Sequence, residues 1–145
     1  MNDPIAILKR DQREAAALLK TLADSKPGAA RRKATNKLAD ALKLHMAIEE
    51  ELIYPLIATR VGKDDEQEAE TEHRLARAGL AQMVELVDEG GFGAAVAMVT
   101  AGIRHHVKEE ETELFPELKR KLDREELSGL GDAVAAKKRA PRRAA

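Results

Sequence analysis

The chain has no cysteine, which excludes a disulfide framework, a thiolate metal site and a cysteine nucleophile. Tryptophan is absent too, and Tyr54, Phe92 and Phe115 are the only Tyr or Phe residues, so an aromatic-rich core or stacking surface is not available. No apolar stretch approaches the roughly 20 residues that span a bilayer. The N-terminus carries no signal-peptide core, so a cytoplasmic location with no membrane partner is expected. A net charge of −1 gives no bulk attraction to polyanions, and nucleic acid is not an expected partner.

What remains is distinctive. Apolar residues make up 43% of 145, enough for one real core, and most are Ala, Leu and Val. The rest is rich in Lys, Arg, Glu and Gln, straight-chain residues that lose little freedom in a helix. The composition predicts an all-α protein. Asp3-Pro4 forms a helix start, and Ser25-Lys-Pro-Gly28 ends the first helix near Ala23. Further helices are expected over about 30–59, 66–87 and 92–122, with Pro55 and Pro116 bending or locally opening the second and fourth. Four helices on short connections predict an antiparallel up-down-up-down bundle over residues 1–127. Residues 128–145 should add a short helical extension and a basic, disordered tail from Lys137 onward, preceded by a separate helical piece near Glu125.

Heptad spacing picks out one seam per helix. These are Ile5, Leu8, Gln12, Ala15, Leu19 and Leu22, then Leu38, Leu42, His45, Glu49, Leu52 and Leu56. The third is Ala69, His73, Ala76, Leu80, Met83 and Val87. The fourth is Phe92, Val96, Val99, Ile103, His106, Glu110 and Leu114. Each seam is apolar except at Gln12, His45/Glu49, His73 and His106/Glu110. A buried polar group left unpaired costs about 1–3 kcal/mol, and a charged one more. A shared metal ion would offset that cost, as would hydrogen bonds among the group.

Two of these interruptions echo each other. His45-x-x-x-Glu49 and His106-x-x-x-Glu110 each lie in a Glu-rich run that closes on an aromatic-Pro pair, Tyr54-Pro55 and Phe115-Pro116. Residues i and i+4 share a helix face, so each pair offers an imidazole and a carboxylate in one direction. That donor set suits a transition metal. A single such pair would ordinarily be a surface ion pair; two in matching frames on predicted seams point to a metal site.

The pattern resembles the hemerythrin-like family, the HHE cation-binding domains, over roughly Asp3 to Leu122. The resemblance implies a four-helix bundle holding two iron ions joined by an oxo or hydroxo bridge, with His45, Glu49, His73, His106 and Glu110 as ligands. The two glutamates are implied as bridging carboxylates. The family's first-helix histidine is replaced here, because Asp11 is followed by Gln12. Gln12 could ligate through its amide oxygen or orient a bound water or peroxide. Otherwise another residue fills the gap, with Glu70, at i−3 from His73, the nearest candidate. His105 is a further candidate ligand, but it lies about 100° round the helix from His106. Glu50, Glu51, Glu109 and Glu111 read as a solvated face, with contacts to the ligating histidines from behind as the alternative, and Tyr54 and Phe115 read as packing.

The resemblance implies O2, hydrogen peroxide or nitric oxide as small-molecule ligands. A catalase-like or peroxidase-like breakdown of peroxide is the reading preferred here, because losing the first-helix histidine opens coordination. A non-catalytic iron-binding or sensing bundle, an O2 storage protein and a bundle with a vestigial site are the alternatives. A ferritin-type centre would need Glu-x-x-His on two helices, and only Glu70-His73 has that spacing.

Overall fold

The structure is a computed structural model that describes residues 2–140. Among these residues the chain is all-helical. Asp3 caps α1 (Pro4–Ala23) by accepting from the Ile5 and Ala6 amides, and Pro4 sits in the first turn, where its missing N–H is harmless. Gly28, with φ of 144°, turns the chain into α2 (Ala29–Ile48). A π turn at Glu49–Ile53 then runs without a break into α3 (Tyr54–Arg60). After α4 (Lys63–Glu85) the pattern repeats: α5 (Phe92–Glu109), a π turn at Glu110–Leu114, and α6 (Phe115–Lys121). The expected bends at Pro55 and Pro116 are therefore these two widened turns. Each proline sits two residues past the end of its turn, and its missing N–H frees a carbonyl there.

The four rods close a ring. The first packs on α2 and α5, and α4 packs on α2 and α5 in turn. Gly79 lets α4 approach α5 closely, since a Cβ there would lie 2.6 Å from Val99 Cγ2. Two apolar clusters fill the interior. One holds Ile5, Leu8, Ile53, Ile57, Phe115 and Leu118. The other holds Ala15, Leu19, Leu38, Leu80, Phe92 and Val96. Between them lies a buried polar layer of Gln12, His45, Glu49, His73, His106 and Glu110.

The end of the chain differs from expectation. A single helix, α7 (Arg124–Arg139), replaces two short pieces, because Asp123 and Glu126 form a reciprocal capping box that starts it. It packs along α1, with Val134 fully buried. Lys137 and Lys138 are not a disordered tail but the last helical turn, where cations suit the helix dipole. Lys137 pairs with Glu51, and Lys138 with Asp11. The remainder of the expected tail, 141–145, lies outside the described residues. No helix among those described is long and apolar enough to cross a membrane.

Candidate metal centre

One donor atom from each of Glu49, His73, His106 and Glu110 falls within a 4.8 Å span, and all four residues are buried. His73 Nε2 lies 3.1 Å from Glu49 Oε1 and 3.2 Å from His106 Nε2. His106 Nε2 is 3.2 Å from Glu110 Oε2. His45 joins from the side, its Nε2 3.2 Å from Glu49 Oε1.

The three rings are oriented by their far nitrogens. His73 Nδ1 donates to Glu50 Oε2 at 2.6 Å, and His106 Nδ1 to Glu72 Oε1 at 2.6 Å. His45 Nδ1 lies 3.3 Å from Asp11 Oδ2. A carboxylate behind Nδ1 fixes the proton there and leaves the Nε2 lone pair facing inward. The facing Nε2 atoms of His73 and His106 would then repel, unless a proton or a cation lies between them.

Charge makes the same demand. Burial disfavours the ionised forms of His45 and His106, but the carboxylates beside them outweigh it. Glu49 and Asp11 lift His45 to about 10. Glu110 and Glu49 lift His106 to about 11. Despite its burial, Glu49 is held well below the carboxylate range by His45, His106 and His73. Glu110, buried and beside ionised Glu49, is raised to about 7. Without a cation the layer must take up protons to balance its carboxylates.

Three buried polar atoms here have no hydrogen-bond partner among the described residues: His45 Nε2, Glu49 Oε2 and Gln12 Oε1. Orphaned polar atoms in a buried layer, beside donor atoms 3.1 to 3.2 Å apart, fit an ion with bonds of roughly 2.0–2.2 Å. The residues present therefore suit the group that the motif implies.

Several placements bear on the sequence reading. Gln12 reaches the layer from α1; its Nε2 donates to Glu110 Oε1 at 2.6 Å. Glu70 stands apart, beside Glu66 and not among the four buried donors. His105 is turned outward, with a side chain 63% exposed. Glu50, read as solvated face or as a support for a histidine, takes the second role: it accepts from His73 Nδ1 and, at 2.7 and 2.9 Å, from the Arg77 guanidinium.

Tyr54 is the residue that periodicity missed. Its hydroxyl donates to Glu110 Oε2 at 2.7 Å and lies 2.9 Å from His73 Nε2 and 3.1 Å from His106 Nε2. Burial and the two glutamates push its pKa upward, so the phenol stays protonated. At α-helical spacing residue 54 would point away from Glu49. The π turn adds one residue to the turn, with the Tyr54 amide bonded to the Glu49 carbonyl, and so brings residue i+5 over residue i. The sequence signal was the difference between Tyr54-Pro55 and Phe115-Pro116.

Beside this layer lies a cavity of about 20 Å3, polar at Gln12, His45, His73 and His106 and apolar at Leu42, Met46 and Ile103. No curated protein matches the chain. A model of the hemerythrin HHE cation binding domain matches residues 3–118, from the Asp3 cap through both histidine–glutamate pairs, and the chain belongs to that family of helical metal-binding proteins.

Proposed function

We propose that this protein holds two iron ions in the buried layer of an up-down-up-down bundle, and that it breaks down hydrogen peroxide, two molecules yielding two waters and one O2. His45, Glu49, His73, His106 and Glu110 are the residues that would hold them. Iron, when bound, supplies the redox chemistry that reduces one peroxide and oxidises a second.

One observation carries the reading. Gln12 stands where a histidine would close the site, and it leaves Oε1 without a partner at a cavity with room for about one small molecule. Hydrogen peroxide is such a molecule, and it donates two hydrogen bonds. Gln12 Oε1 accepts one of them, while Glu110 holds the amide in place through Nε2. Tyr54 O–H is a fixed proton donor within the cluster. Leu42, Met46 and Ile103 give the cavity an apolar wall.

Oxygen evolution from peroxide by the iron-loaded protein tests the proposal. Gln12→His should raise iron content and lower turnover. A protein with stoichiometric iron that releases no O2 from peroxide would end the catalytic reading. A second reading, a non-catalytic sensing module, draws support from Lys138. Through Asp11 it ties α7 to His45, so occupancy of the layer would be felt at the surface. Binding of O2 or nitric oxide without turnover belongs to this second reading.

A further inference from the structure

The sequence carries a third histidine–glutamate pair at i,i+4 spacing, His105 and Glu109, one residue out of step with His106 and Glu110. One residue is about 100° of helix, so when the inner pair faces the buried layer the other faces outward. His105 Nε2 lies 3.0 Å from Glu109 Oε1. From the adjacent α4, Glu72 brings Oε2 to 3.3 Å from the same nitrogen. One donor atom from each of the three residues falls within 4.8 Å of the others. Glu72 and Glu109 thus lie side by side, with Glu68 a further carboxylate nearby. The exposed His105 ring alone does not balance that charge.

Glu72 belongs to both groups. Its Oε1 accepts from His106 Nδ1 at 2.6 Å while its Oε2 faces His105. It also lines the small cavity beside the buried histidines. One carboxylate therefore spans from an exposed set of donors to the enclosed one.

We propose that His105, Glu109 and Glu72 form a solvent-facing site that captures a divalent transition-metal ion and passes it, by way of Glu72, to the buried layer. One imidazole and two carboxylates suit Fe2+, Mn2+ or Zn2+, and so few protein donors leave the ion exchangeable. The hand-over rests on the iron reading of the buried layer, but the capture does not.

The test uses the full chain stripped of metal, with Mn2+ counted by electron paramagnetic resonance and Fe2+ loading followed without oxygen. His105→Ala/Glu109→Gln should bind one Mn2+ fewer than wild type. The same variant should load Fe2+ about tenfold more slowly, the order expected when a charged site no longer gathers the ion. Its final iron content and melting temperature should match wild type. An equal Mn2+ count would overturn the capture site, and an equal loading rate would overturn the hand-over. Mn2+ uptake lost in this variant, with no Fe2+ entering the buried layer of either protein, would leave capture standing and sink the buried iron reading.

Discussion

The Tyr54 hydroxyl donates to Glu110 Oε2 at 2.7 Å in the middle of the polar layer, 2.9 Å from His73 Nε2. Tyr54→Phe removes one oxygen and little volume, so it isolates that contact. The Glu110 carboxyl then keeps Gln12 as a donor but loses the phenol. A lost hydrogen bond to a buried, partly charged group should destabilise the metal-free protein by about 1–3 kcal/mol in urea denaturation. The loss should be smaller once metal satisfies Glu110. Unchanged metal-free stability would mean that the hydroxyl lies outside the layer in solution.

The carboxylates behind the imidazoles give a second prediction. Asp11, Glu50 and Glu72 each hold a ring nitrogen, and none is itself a member of the buried four. Replacing Glu50 by Gln would remove the charge behind His73 and leave Arg77 without its partner. Metal affinity should fall about 10- to 100-fold, as is usual for such supporting groups. Arg77→Ala should have a smaller effect in the same direction, because Glu50 would still accept from His73. Competition with a chelator measures both, and wild-type affinity in Glu50→Gln would refute the supporting role.

How far the sequence was legible follows the helical period. All six α1 seam residues are buried, as are His45, Glu49, His73, His106 and Glu110. The reading slips where the period does. Leu52 and Leu56 were expected inside, yet Ile53 and Ile57 are the buried pair, one residue later, just as a five-residue turn requires. That same slip hid Tyr54. Arg77, Glu72 and Asp11 were illegible for another reason: they act through contacts between helices, which no spacing within one helix reveals. Lys137 and Lys138 read as tail because their partners, Glu51 and Asp11, are remote in sequence.

Acidity gives a third prediction, and its sign is fixed by the raised imidazoles. Unfolded histidine titrates near 6.5, and in the metal-free fold His45 and His106 are raised to about 10 and about 11. Their protons therefore stabilise the fold fully below pH 6.5, and this contribution is lost as pH rises through about 10 to 11. Glu110, raised to about 7, acts in the same sense at lower pH: its contribution is complete below the ordinary carboxylate value and gone above about 7. Glu49 is depressed and acts oppositely, weakening the fold only as pH falls through its lowered value. Metal-free stability should thus decline from pH 6.5 to 10. Metal takes the place of those protons, so its affinity should rise over the same range and widen the gap between loaded and metal-free melting temperatures. A metal-free melting temperature that stays level from pH 6.5 to 10 would contradict this.

Gly131 gives the last prediction, and two effects of opposite sign decide it. In an exposed helix Gly→Ala stabilises by about 1 kcal/mol. Here a Cβ would lie 1.8 Å from the Asn2 carbonyl oxygen and 2.6 Å from its carbon, backbone atoms that no rotamer change can move aside. Overpacking of this kind costs about 1–3 kcal/mol, so the clash should win and Gly131→Ala should lower stability despite the better helix former. The strain is relieved by shifting Asn2 or by moving α7 off α1. Movement of α7 would also draw Lys138 away from Asp11, and Asp11 from His45. Urea denaturation should show the loss, and chelator competition a weaker metal site. Gly129, two residues nearer the start of α7, has nothing within 4 Å of a built Cβ, so Gly129→Ala should be neutral or stabilising in both assays. Equal behaviour of the two alanine variants would show that α7 does not seat against the N-terminus at Gly131.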